Sequence, residues 1–229
     1  MTISILTLFP DIIKTSVNYS ILQRAQKKKL VDFKIVDIRD FALDKHKSVD
    51  DHPYGGGPGM ILRVDIIDKA LSYAKSQLST INYKLSTKMV LLDARGKAWD
   101  QKKALEFSHL EHLILICGHY EGVDERAFDL VDEVISIGDF ILTGGEIPAL
   151  ALTDSIVRLI PGVLEKKEAV IDESFSSGLL SFPQYTKPTI HNKKSVPEVL
   201  LSGNHQKISS WRKEKSVQIT KKFRPDLLK

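Results

Sequence analysis

Two sets of residues in this chain have types and spacing that bear on chemistry. One is ionic. Asp154 and Arg158 stand four apart, so on a helix they share a face, with a surface ion pair as the plain alternative. Asp172 and Glu173 are adjacent carboxylates followed by Ser174-Phe175; a general base and an ordinary helix start both fit such a pair. The other set is glycine-rich backbone in three loops. In Pro53-Tyr-Gly-Gly-Gly-Pro-Gly-Met60, four glycines within five residues leave the amides bare and permit positive φ, and two prolines stiffen the run. That describes a shaped binding loop better than a flexible surface loop. A second loop, Gly118-His-Tyr-Glu-Gly-Val-Asp-Glu-Arg126, follows the apolar run Leu113–Cys117. The third, Ser136-Ile-Gly-Asp-Phe-Ile-Leu-Thr-Gly-Gly-Glu-Ile-Pro148, follows Val134. Both lie past the carboxyl end of a predicted strand, where α/β sheets bind ligands. Apolar side chains among bare amides and carbonyls suit an adenine ring, whose edge donates and accepts hydrogen bonds. Either loop alone could be a mere connection.

Several classes of chemistry are disfavoured. The phosphate-loop pattern and the dinucleotide pattern are both absent, as is a GxSxG elbow. The seven histidines show no metal-ligand spacing, and the single Cys117 excludes an intrachain disulfide and a many-thiolate zinc site. No metal-ligating set is expected. One cysteine also fits a reducing cytoplasm. The apolar opening, MTISILTLFPDIIK, lacks the basic leader and cleavage site of a signal peptide and reads as a strand running into a helix. No apolar run approaches the roughly 18 to 20 residues of a membrane helix, so no membrane partner is expected.

The elements that must position these groups follow from periodicity. Short apolar, β-branched runs recur at Ile3–Leu8, Phe33–Ile38, Met89–Leu92, Leu113–Cys117 and Val134–Ile137. Helical spacing is predicted over Asp11–Lys28, Trp99–Leu110, Glu125–Val131 and Ile147–Ile160, and through Ile66, Ile67, Ala70, Leu71, Ala74 and Leu78. Strands apolar on both faces that alternate with helices imply an α/β domain around a mostly parallel sheet. From Pro161 onward the texture changes: five of the nine prolines fall there and strand-like runs disappear. We read 1–162 as one domain, 163–171 as a linker, and 172–229 as a small basic helical domain. Its last element, His205–Phe223, is predicted to be a basic amphipathic helix in which Trp211 either stacks on bases or anchors a small core. Residues 161–229 carry 13 Lys/Arg against 7 Asp/Glu, whereas 1–160 carry 20 against 22. A near-neutral body with a basic tail suits a polyanionic partner, and equally a solvated, solubilising surface.

Taken in order, ILTLFPDII, PYGGGPGM at 53–60, CGHYEGVDER at 117–126, SIGDFILTGGEIPAL at 136–150, DSIVRLIPGVL at 154–164, SFSSGLLSFPQYTKP at 174–188 and VPEVLLSGNH at 196–205 resemble the bacterial tRNA (guanine-N1)-methyltransferases, the TrmD family. The resemblance runs nearly end to end. It implies a SPOUT fold whose α/β domain ends in a deep trefoil knot, a feature that general rarity argues against. It implies S-adenosyl-L-methionine as methyl donor, S-adenosyl-L-homocysteine as product, and methylation of N1 of guanine 37 of tRNA, beside the anticodon. It implies a homodimer whose active sites are shared between subunits, and tRNA rather than DNA as partner. By the same resemblance the donor is held by Leu91, Leu92, Asp93 and Gly96, by Gly118, Tyr120, Glu121 and Gly122, and by Ser136, Ile137, Gly138, Asp139, Phe140, Ile141, Leu142, Gly144, Gly145 and Pro148. The RNA is expected at Tyr54, Gly55, Gly56, Gly57, Pro58, Gly59 and Met60, and at Ser174, His205 and Trp211. Family behaviour suggests assistance by Mg2+, though no ligand cluster marks a site.

The implied chemistry makes sense of the ionic set. N1 of guanine carries a proton whose removal places charge on O6, so a carboxylate base and a cation near O6 are needed. Arg158 is implied as that cation, with Asp154 orienting it or a neighbour. An ungapped count from Arg158 places the family's catalytic Asp on Glu173, and Asp172 takes the role after a one-residue slip; Glu173 is favoured. Two further departures are Leu92-Asp-Ala-Arg-Gly96, where the family commonly has a Ser-Pro-Gln-Gly turn, and an ending soon after Leu228, earlier than many relatives. The competing readings are a SPOUT enzyme acting on another RNA nucleoside and an inactive RNA-binding relative.

Overall fold

The computed structural model describes residues 1–77, 86–165 and 173–228. It divides into two compact units, Met1–Glu165 and Lys166–Lys229. The first is α/β. Its five strands, β1 (Thr2–Thr7), β2 (Asp32–Asp37), β5 (Thr87–Ala98), β6 (His112–Cys117) and β7 (Glu133–Ser136), form one sheet in the order β2-β1-β6-β5-β7, and every pairing is parallel. All six residues of β6 are buried, which a strand tolerates only when both faces of the sheet are covered. Side chains alternate accordingly. Ile3, Ile5, Leu113, Leu115 and Cys117 join α1 (Pro10–Val17), α2 (Ser20–Lys27) and α5 (Glu146–Val157) on one face. Leu6, Leu91, Ile114 and Ile116 meet α3 (Val64–Ser76) on the other. A short pair, β3 (Asp50–Asp51) and β4 (Ile61–Leu62), brackets the first glycine loop.

Several expectations need correction. The helix expected over Asp11–Lys28 is two: Tyr19 is extended (φ −124°, ψ 158°) and Ser20 has φ +50°. The buried residues explain the break, because Ile13 and Val17 are four apart but Leu22 follows Val17 by five, off the helical period. Gln26 Nε2 donates to Val17 O at 2.7 Å and so covers part of the open end of α1. Glu125–Leu130 is a 3-10 segment opened by Asp124, whose Oδ1 accepts from Arg126 N, rather than an α-helix. The short helix α4 (Gln101–Phe107) starts only after Asp100, whose carboxylate accepts from Lys103 N at 2.7 Å. Leu78 lies outside the described residues, as do residues 166–171 of the expected linker.

The largest difference is β5, which runs to Ala98 instead of ending at Leu92. Leu92 and Lys97 both register with Ile135 of β7, so Asp93–Gly96 forms an excursion between two stretches of pairing. Gly96 closes it. A Cβ there would lie 2.5 Å from Ile135 N and 2.6 Å from its Cα, so only glycine lets the two backbones meet.

The second unit is less regular. Its described residues form a hairpin of β8 (Ile190–His191) and β9 (Lys194–Ser195), a one-turn helix α6 (Glu198–Leu201) and the long helix α7 (His205–Phe223). The hairpin was not expected. Asn192 and Lys193 both take positive φ at its two-residue turn, and Asn is one of the residues that tolerates this. The bounds of α7 agree with expectation; of its apolar residues Ile208, Trp211 and Ile219 are half-buried, whereas Val217 and Phe223 are exposed. Ser216 and Thr220 are its buried positions, and Thr220 Oγ1 accepts from Leu180 N at 2.9 Å and donates to Ser216 O at 2.7 Å.

Candidate active site

Register places Leu92 of β5 beside Cys117 of β6 and Ile135 of β7, so the excursion after Leu92 and the loops that follow β6 and β7 start at one level and converge. The loops enclose a cavity of about 190 Å³. The third loop returns across the end of β6: Gly145 N donates to Gly118 O at 2.8 Å, and Gly144 bridges to His119. Gly145 must be glycine, since a Cβ would stand 2.6 Å from Cys117 Cα. Within the loop, Ser136 Oγ donates to Gly138 O at 3.0 Å, and Gly138, at φ +150°, lies under the Phe140 ring.

Most of the expected donor residues line this cavity: Leu92, Asp93, Gly118, Tyr120, Glu121, Gly122, Ser136, Ile137, Gly138, Phe140, Ile141, Leu142, Gly144, Gly145 and Pro148. Three do not. Leu91 turns into the core, Gly96 sits against the Ile135 backbone, and Asp139 is exposed. Alternation explains Leu91, because neighbours on a strand face opposite ways. Ala94, His119 and Thr143, which lie within the three loops Leu91–Gly96, Gly118–Gly122 and Ser136–Pro148 that the resemblance assigns to the donor, also line the cavity, and so does Ile135 of β7.

The wall is apolar with few charges. Asp93 Oδ1 accepts from Arg95 N at 2.9 Å and from Arg95 Nε at 3.0 Å, while Arg95 Nη1 reaches Glu125 Oε2 at 2.8 Å and its guanidinium lies 4.2 Å from the Phe128 ring centroid. Burial works to raise the Asp93 carboxyl, but the bonds from Arg95 outweigh it and hold the group below its usual range. The loop Leu92–Gly96 is therefore self-braced. Tyr120 takes φ +60° and its hydroxyl accepts from Arg39 Nη2 at 3.5 Å. Glu121 N donates to Met60 O at 3.1 Å, and a Cβ on Gly59 would lie 2.8 Å from Glu121 Oε1. The end of the Pro53–Met60 loop is thus stitched to the cavity wall. Its tip is open, with nothing near Gly55 or Gly56 and Tyr54 fully exposed.

The ionic candidates divide between the units. Arg158 is the half-buried C-cap of α5, its N donating to Asp154 O at 3.2 Å, and Asp154 is exposed. Glu173 and His205 share a cleft of about 570 Å³ in the second unit, bordered by Ser181, Phe182, Arg212 and Lys213. Ser174 is occupied structurally, its Oγ accepting from Ser181 N at 2.9 Å. Trp211 stands outside that lining, 6.5 Å from the Tyr185 ring. Asp172 lies outside the described residues. Among the described residues no group of three or more His, Cys, Asp or Glu could hold a metal ion, and no helix is long and apolar enough to cross a membrane.

Comparison with known proteins agrees with this geometry. The whole chain, residues 1–229, matches the family described as tRNA (Guanine-1)-methyltransferase TrmD. A tRNA (guanine-N(1)-)-methyltransferase of Clostridium botulinum (strain 657 / Type Ba4) is 49% identical over 230 residues, covering 100% of this chain and 92% of the relative. One from Caldanaerobacter subterraneus subsp. tengcongensis is 48% identical over 229 residues, with the same coverage of 100% and 92%. A single parallel sheet with three loops closing on one cavity, and a family match from the first residue to the last, lead to one statement: the chain belongs to the TrmD family of tRNA (guanine-1)-methyltransferases.

Proposed function

We propose that this protein transfers a methyl group from S-adenosyl-L-methionine to N1 of guanine 37 in tRNA. The observation that carries the reading is the cavity at the excursion of β5 and the ends of β6 and β7, whose apolar side chains and bare glycine backbone fit an adenine ring. A Cβ at Gly138 would collide with the Phe140 ring, and one at Gly144 with Glu146 and His119, so the loops around the cavity need glycine at both positions. The donor supplies a methyl already activated on a sulfonium. The chain's own task is then to expose the N1 lone pair. Glu173 accepts the N1 proton, and Asp172 is the second candidate for that role. Arg158 stabilises the charge that develops on O6, and Asp154 orients it. As the N1–CH3 bond forms, the S–CH3 bond breaks and its electrons remain on sulfur. No step is assigned to Mg2+, for which the described residues offer no cluster.

Three further parts belong to this reading. The chain threads as a trefoil knot, supported by the glycine crossings of Gly96 over Ile135 and Gly145 over Cys117. It works as a homodimer, supported by Ile141 and Ile147, which stand 85% and 56% exposed near the cavity. Its tRNA is gripped by the Pro53–Met60 loop and by the basic α7, and its place is the cytoplasm. Labelled donor incubated with unmodified tRNA, followed by nucleoside analysis, tests the reaction. The expected product is 1-methylguanosine at position 37; any other methylated nucleoside, or none, refutes it.

A further inference from the structure

Glu146 is a buried charge that the mechanism above does not use. It is 5% exposed in the first turn of α5, directly after the Gly144-Gly145 pair at the cavity's edge. Thr7 Oγ1 donates to its Oε1 at 2.6 Å and accepts from Phe9 N at 2.9 Å. Among the described residues, no Lys or Arg is paired with it. Its Oε2 lies against Gly144, where a Cβ would overlap it and would also stand 2.5 Å from His119 Nδ1. That nitrogen is itself buried without a hydrogen-bond partner. Gly144 and His119 both line the cavity, so no side chain at 144 screens the carboxylate from it. The field of the carboxylate is felt nearby: burial first, then the Glu146 charge, push the Cys117 thiol well above its ordinary value.

A buried anion without a cation is costly, and the α5 N-terminus offsets only part of that cost. A cation bound in the adjacent cavity would offset more. The donor in the reading above carries a positive sulfonium, and its thioether product does not. We propose that Glu146 is a specificity-determining residue of the donor site, whose carboxylate favours the cationic donor over the neutral product. The inference rests on the donor reading. The attraction acts before transfer and fades as the sulfonium charge is lost, so it strengthens donor binding relative to product binding without lowering the barrier.

The test uses the full-length protein and three probes in calorimetry: S-adenosylmethionine, its stable ammonium analogue sinefungin, and S-adenosylhomocysteine. Glu146→Gln keeps an acceptor for Thr7 and removes the charge. It is expected to weaken both cationic probes about tenfold and leave the thioether within about twofold. Donor KM should rise with kcat within about twofold. Glu146→Asp should restore the preference. Equal weakening of all three probes marks a merely structural role and overturns the inference while the donor reading stands. Wild-type protein that binds none of the three overturns both. Should Glu146→Gln not fold, the wild type still decides, because a thioether bound as tightly as sinefungin overturns the inference.

Discussion

Ile3, Ile5, Leu6, Phe107 and Leu113 in the N-terminal unit are wholly withdrawn from water, whereas no apolar side chain among the described residues of the C-terminal unit is. There the buried positions are Ser216 and Thr220, while Val217 and Phe223 stand 42% and 63% exposed. The first unit therefore draws on apolar burial for its stability and can hold loops rigidly at its strand ends. The second relies on local hydrogen bonds and turns much of its basic helix outward. A preorganised cavity needs the first kind of support; an outward-facing basic helix does not.

Substitutions should separate the two units. The largest effect is expected from Glu173→Gln, with a loss of roughly 10²–10⁴-fold in kcat and donor affinity unchanged, and Arg158→Ala should behave alike. Single-turnover kinetics beside calorimetry reads both, and if Asp172→Asn is the inactive variant instead, the base moves by one residue. Gly96→Ala acts on the frame rather than the chemistry. Its Cβ meets the Ile135 backbone, so we expect a loss of about 3 kcal/mol or more with donor binding abolished, measured by denaturant melts.

Acid should weaken the frame through His112. It is 1% exposed, its Nε2 lies 2.8 Å from Ser4 Oγ, and burial holds its pKa down to about 4 from an ordinary 6.5. The unfolded chain binds this proton near 6.5 and the folded chain only near 4. The contribution is therefore complete above pH 6.5 and is lost as pH falls toward 4, at most about 3 kcal/mol. Melts at pH 7, 5.5 and 4 should show that slope, and His112→Leu should lack it. The smallest effect is Thr220→Val, which leaves Leu180 N without its partner and costs about 1–2 kcal/mol. Hydrogen exchange should quicken in 174–223 and stay unchanged in β1 and β6; quickening in both places would show that the units open together.

Much of the frame was legible. The doubly apolar runs at 113–117 and 3–8 imply buried parallel strands, and the sheet has them. The spacing 66, 67, 70, 71, 74 implies the buried face of α3, and those residues are its buried ones. Hydrophobic period carries such information because burial is repeated along one element. The misses are places where no period exists. The return of β5 to pair at Lys97 depends on β7, some 40 residues later. The hairpin at Ile190–Ser195 has only two residues a side. Ile135 lines the cavity from within β7, outside the expected loops.

Taken alone, the order of residues determined the α/β alternation, the three glycine loops and the family, because each is written in consecutive or periodically spaced side chains. Only the tertiary structure decided which loop atoms face the cavity, that Asp93 is braced by Arg95, and that Glu146 is buried beside Thr7. Those depend on contacts between segments far apart in the chain, such as Thr7 with Glu146. Packing chooses such partners, and no local pattern records the choice.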